Sequence, residues 1–186
     1  MASTPQEPTR VIGIDPGLNI TGYGVVVSHG SDVKLVEAGL IRLPPSHGQN
    51  LPARLEALFR ELQQVMKEFS PQAMCLEEVY SHADYPRTAI LMGHARGVIC
   101  LAARLEGIPV LSFSAKRVKQ SVTGNGNASK SQVQRAVQNF FSLTSVPHPP
   151  DVADALAVAL CYVNAMRFRD SGHGERRNSK LETGKS

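Results

Sequence analysis

The hydrophobic period of this chain changes twice before residue 80, and that change limits the kind of layers it can build. RVIGIDPG, ITGYGVVVS and KLVEAGLIRL are strand-like runs in quick succession, which predicts three strands in an antiparallel meander. From Leu51 to Phe69 the pattern becomes helical, with Leu51, Leu55, Leu58, Leu62, Val65 and Phe69 at alternating steps of four and three. AMCLEEVY then returns as a mostly apolar run of strand length, the content of a central strand covered on both faces. A helix from about Arg87 to Glu106, closed by Gly107, and a buried strand in PVLSF make a strand, helix, strand crossover that implies a parallel pair. The expected fold is an α/β mixed sheet with helices on its faces, in the order βββαβαβ followed by helices.

Those later helices have readable starts and stops. Ser114 can cap a short helix over AKRVKQSV, TGNGNA is a turn, and Ser129 starts a second helix through SKSQVQRAVQNFF. After VPHPP, the run DVADALAVALCYV predicts an almost wholly buried helix from about Asp151 to Met166. A length of 186 residues with 42% hydrophobic content suits one domain over residues 10–168, between a disordered leader, 1–9, and a disordered basic tail, 169–186. The leader MASTPQEPT has neither the basic nor the apolar part of a signal peptide, and no apolar run approaches membrane-spanning length. A soluble, cytoplasmic protein with no membrane partner is expected. Cys75, Cys100 and Cys161 lack both pairing and zinc-type spacing, so they read as reduced core thiols.

Charge points to a partner once it is divided along the chain. The net charge is +4, but residues 167–186 hold six basic and three acidic side chains, leaving +1 for the first 166. More telling is that no Asp or Glu occurs between Glu106 and Asp151, a stretch carrying Lys116, Arg117, Lys119, Lys130 and Arg135. A basic run without acids suits the phosphates of a nucleic acid, and it equally suits a solvated helix face.

The acids lie elsewhere, at the edges of elements. Asp15 ends the first strand at an Asp-Pro-Gly turn. Glu77 and Glu78 are adjacent in a strand, so they face opposite ways and only one can serve a site on a given face. Asp151 and Asp154 are one turn apart at the start of the buried helix. Singly these are a turn, a strand end and a helix cap; together they suggest one cluster of oxygen ligands. With neither a phosphate loop nor Cys/His ligand spacing in the chain, such a cluster suits two Mg²⁺, or Mn²⁺, that activate water in phosphodiester hydrolysis. His148, just before the acidic helix, is left out of that set.

Five blocks in this order, VIGIDPGLNITGYGVV, CLEEVY, HARGV, KRVKQSVTGNGNASKSQVQ and PPDVADALAVAL, resemble the RuvC family of Holliday junction resolvases from Val11 to about Met166. The resemblance implies a ribonuclease-H-like five-stranded sheet with helices on both faces, and a homodimer. It further implies paired, metal-assisted incision of four-way DNA junctions in recombination and repair, alongside the branch-migration motor of RuvA and RuvB. It places the metal-binding acids on Asp15, Glu77, Asp151 and Asp154, selecting Glu77 over Glu78. The family's base-stacking aromatic falls on Tyr80, and its basic residues on Lys119 and Lys130. Lys116, Arg117 and Arg135 are expected to join them as phosphate contacts.

Overall fold

The computed structural model describes residues 7–43, 50–78 and 86–170, the side chains being described for 88–168 of the last span. Residues 1–6 of the expected leader and 171–186 of the expected tail therefore lie outside the described residues, while Thr9 belongs to the first strand and residues 169–170 to the last helix. Strands β1 (Thr9–Asp15), β2 (Ile20–His29) and β3 (Asp32–Arg42) form the antiparallel meander. Helix α1 (Leu51–Phe69) then leads to β4 (Ala73–Glu77), which lies parallel to β1, and α2 (Pro86–Leu105) leads to β5 (Val110–Phe113), parallel to β4. The sheet order is β3-β2-β1-β4-β5. Three further helices follow, α3 (Ala115–Thr123), α4 (Lys130–Phe140) and α5 (Pro150–Asp170).

Strand alternation divides the core into two layers. Ile12, Ile14, Met74 and Leu76 point to the face covered by α1 and α2, where Leu58, Leu62, Met66, Ala95 and Ile99 meet them. Val11 and Cys75 point to the other face, packed with Leu156 and Leu160 of α5 and with Val118, Val133 and Val137 of α3 and α4. The sequence pattern of α1 is rotated slightly from the true buried stripe, because the fully buried positions are Leu58, Leu62 and Met66 while Leu51, Leu55, Val65 and Phe69 are half-buried. Helices α3 and α4 start at Ser114 and Ser129, and the second is closed by a reciprocal capping box with Gln132. Helix α5 runs four residues past the expected end.

The expectation about apolar runs needs correcting at α2. The window Thr88–Leu105 is long and apolar enough to cross a membrane, and 22% of it is buried. Ala95, Ile99, Ala102 and Ala103 are inaccessible against α1 and the sheet, while Ile90, Leu91, Leu101 and Leu105 of the same window are exposed.

Glycines set how closely α5 can approach the sheet. A Cβ on Gly13 would collide with the Ala155 carbonyl oxygen and lie 2.7 Å from the Ala159 nitrogen. On Gly22 it would run into the Asp151 backbone, 2.6 Å from the carbonyl carbon. Helix backbone thus rests directly on strand backbone, with no side chain between. Gly13→Ala is expected to destabilise the fold by about 3 kcal/mol, as overpacking of a tight contact does, and urea unfolding measures it.

Candidate active site

Three elements carry the four acids to one end of the sheet. Asp15 closes β1 on the same face as Val11 and Gly13, the face that α5 covers. Its turn is tied by Thr21, the only buried polar residue among those described, whose hydroxyl donates to the Gly17 carbonyl at 2.6 Å and accepts from the Gly17 N–H at 3.3 Å. Arg54 of α1 holds the next two residues, donating to the Leu18 carbonyl at 2.9 Å and to the Asn19 side chain. Glu77 ends β4 with the parity of Cys75, so strand alternation turns it toward α5 and turns Glu78 away. The neighbour of Asp15 across the ladder is Gly22, over which the first turn of α5 lies, bringing Asp151 and Asp154 beside it.

Electrostatics record this convergence. The Asp15 carboxyl is pushed up from 3.8 to about 7, first by burial and then by the negative charges of Asp154, Asp151 and Glu77, with Lys130 opposing. Glu77 is also raised, by burial and then by Asp154, against the lowering pull of Lys119 and Lys130. Lys130 Nζ lies 2.8 Å from Asp154 Oδ2, and this bond is the largest cause that raises the lysine. Glu77, Asp154, Lys119 and Lys130 rim a cleft of about 220 Å³ floored by Val118 and Val133. A roomier hollow of about 410 Å³ lies at the opposite end of β1, around Thr9, Ser28 and Met166, remote from the acids.

Carboxylates that are buried and repel one another fit a divalent cation, and the donor set is all oxygen. Among the described residues, no three His, Cys, Asp or Glu side chains stand close enough to grip one ion as they are. The Lys130 ammonium takes up part of the negative charge instead.

The other expected site residues divide. Lys119 and Lys130 join the acids. Lys116 packs its side chain near Gly126 in the turn between α3 and α4, and Arg135 is exposed on α4. Arg117 lies over the Phe113 ring at 4.9 Å and borders a different hollow, with Cys161 and Asn164. His148 is exposed in the loop before α5. Tyr80 lies outside the described residues. Sequence reasoning missed Thr21 and the strand glycines, although Gly13 within VIGID and Gly22 and Gly24 at alternate positions in TGYGVV are a signal of close backbone approach.

A family model described as crossover junction endodeoxyribonuclease RuvC matches residues 11–162. The chain belongs to this family. A RuvC from Rhodopirellula baltica is 49% identical over 161 residues, 87% of this chain and 89% of the relative. One from Alkaliphilus oremlandii is 40% identical, over 86% and 96%. Among solved structures, T. thermophilus RuvC in complex with Holliday junction substrate superposes with a TM-score of 0.79 at 30% identity, covering 87% of this chain and 96% of that one. The yeast mitochondrial Holliday junction resolvase Ydc2, at 16% identity and a TM-score of 0.65, shares the fold. The chain is thus a nuclease of the crossover-junction class, and the family's cleavage is metal-dependent.

The raised Asp15 carboxyl has a definite pH signature. Its folded pKa of about 7 lies above the unfolded value of 3.8, so the fold binds the extra proton between them and loses stability as pH rises through that window. In EDTA, Asp15→Asn is expected to be more stable than wild type at pH 8 by on the order of 2–4 kcal/mol. That gap should close toward pH 4; thermal melts at both pH values read this.

Proposed function

We propose that Asp15, Glu77, Asp151 and Asp154 hold two Mg²⁺ per subunit, or Mn²⁺, with which a homodimer of this chain makes paired incisions in four-way DNA junctions. The observation that carries this reading is the Asp15 carboxyl held near pH 7 by burial and by three other acids, a cost that bound cations remove. When bound, the ions supply an activated water and charge to stabilise the leaving oxygen in phosphodiester hydrolysis.

The chain's own residues do the rest. Asp15 and Glu77 each follow the last residues paired between two neighbouring strands, Ile14 and Leu76, so the sheet brings them side by side. Asp151 and Asp154 come from one turn of a rigid buried helix. Lys119 and Lys130 rim the same cleft as the acids, and with Asp154 holding a cation Lys130 would be free to join Lys119 at the scissile phosphate. Lys116, Arg117 and Arg135 neutralise phosphates farther out, giving an affinity that falls with salt. Tyr80 stacks on a base at the junction centre. The protein works in the cytoplasm beside the RuvA and RuvB motor.

The outer face of α2 supports the dimer. Ile90, Leu101 and Leu105 are 60%, 53% and 63% exposed, and Gly97 between them has nothing within 4 Å of where a Cβ would stand. A small residue flanked by large apolar ones suits close packing of the same helix from a second copy. Two-fold symmetry in the protein then matches two-fold symmetry in the junction, one site for each strand to be cut.

Two outcomes test this. Asp15→Asn should retain junction binding in gel shifts yet lose Mg²⁺-dependent cleavage of a synthetic four-way junction by at least about 10³-fold, a loss within the range of enzymatic metal catalysis; unimpaired cutting refutes the site. Leu101→Glu should sediment as a monomer and, on a cruciform plasmid, yield single nicks at most where the wild type linearises.

A further inference from the structure

We propose that Arg96 of α2 is a positioning residue for Glu77: it fixes the peptide group that follows this carboxylate, and thereby sets how tightly the acid cluster holds a divalent cation. The inference rests on the metal-site reading given above.

The peptide between Glu77 and Glu78 is held from both ends. Its N–H, on Glu78, donates to the Phe113 carbonyl at 2.8 Å. Its carbonyl, on Glu77, accepts from Arg96 Nη1 at 2.6 Å. The second arm of the same guanidinium, Nη2, donates to Ser112 Oγ, also at 2.6 Å, so one planar fork spans the ends of β4 and β5. On the β1 side the ladder stops at Ile14 and Leu76, one residue short of Glu77. Past that point Glu77 is paired on one side only, with Phe113 of β5, and Arg96 adds a second hold on its carbonyl.

Arg96 works through the backbone and not through charge on the carboxyl. The groups that shift the Glu77 carboxyl are burial, Asp154, Lys119 and Lys130, and Arg96 is not among them. Fixing the peptide plane fixes the backbone torsion at Glu77, and with it the direction in which its side chain leaves the strand. Metal ligation tolerates displacements of only about 0.2 Å, so a small rotation of that plane is felt at the carboxylate oxygens. The base of the lever is firm, since the neighbouring Ala95 and Ile99 of α2 are inaccessible in the core. Arg96 lies in HARGV, one of the five blocks that carry the family resemblance.

The test is Mn²⁺ binding to the full chain without DNA, read from the electron paramagnetic resonance signal of the free ion, beside thermal melts and junction binding in Ca²⁺. Arg96→Leu should weaken Mn²⁺ on the order of tenfold, the loss typical when a group orienting a metal ligand is removed. Junction binding should stay unchanged at saturating Ca²⁺. Arg96→Lys, which keeps one charged donor but not the fork, should fall between the two. Ser112→Ala, which frees one arm only, should lose less than Arg96→Leu. A Mn²⁺ affinity for Arg96→Leu within about twofold of wild type, well below the usual effect of such partners, overturns the proposal, and a lowered melting temperature with that unchanged affinity would make Arg96 a plain structural tether. Should Arg96→Leu fail to fold, the same comparison is decided by Arg96→Lys and Ser112→Ala. If wild type itself binds no Mn²⁺, the metal-site reading falls and takes this inference with it; if wild type binds and Asp15→Asn does not, that reading stands whatever Arg96 does.

Discussion

Direct backbone contact between α5 and the two central strands is the constraint from which the rest of this structure follows. Gly13 and Gly22 leave no side chain where Ala155, Ala159 and Asp151 come down, so the helix lies closer to the sheet than ordinary side-chain packing would allow. That closeness seals one half of the core, with Val11, Cys75, Leu156 and Leu160 fully enclosed. It also drives the first turn of α5 against the end of β1, where Asp15 waits. Packing and chemistry are here one interaction: the contact that buries the helix also assembles the acids.

The assembly runs against electrostatics. Folding gathers Asp15, Glu77, Asp151 and Asp154 into a partly buried space, and the Asp15 carboxyl registers the conflict by rising to about 7. Stability gained in the apolar layers therefore holds together groups that would otherwise separate, a common arrangement at functional sites. Lys130, reaching across from α4 to Asp154, relieves part of the strain.

Much of this was legible in the sequence because periodicity reports which face is buried. The meander, α1, the parallel crossover and the serine-capped α3 and α4 all follow from runs and caps that act locally. What was not legible depends on how elements meet. The buried stripe of α1 includes Met66 because the helix leans on α2 as well as on the sheet, and apolar spacing alone does not report that rotation. Placing β4 next to β1 needs the three-dimensional ladder. Alternation said that only one of Glu77 and Glu78 could serve the acid cluster, and resemblance named Glu77; the parity of Cys75 on the α5 face now gives a physical reason. Charge alone groups the basic residues together, yet the two helices that carry them turn Lys119 and Lys130 toward the acids and Arg117 toward Phe113. Charge counts along a chain do not resolve helix faces.

The bond from Lys130 to Asp154 makes two binding events share one side chain. On the proposed metal site, a cation that took over Asp154 would free an ammonium at the mouth of the cleft, and a phosphate that attracted this ammonium would uncover the carboxylate. Thermodynamic linkage makes the two effects equal in free energy. Each ligand would therefore raise the affinity for the other, and the proposed site would take metal most readily with a strand of DNA already in place.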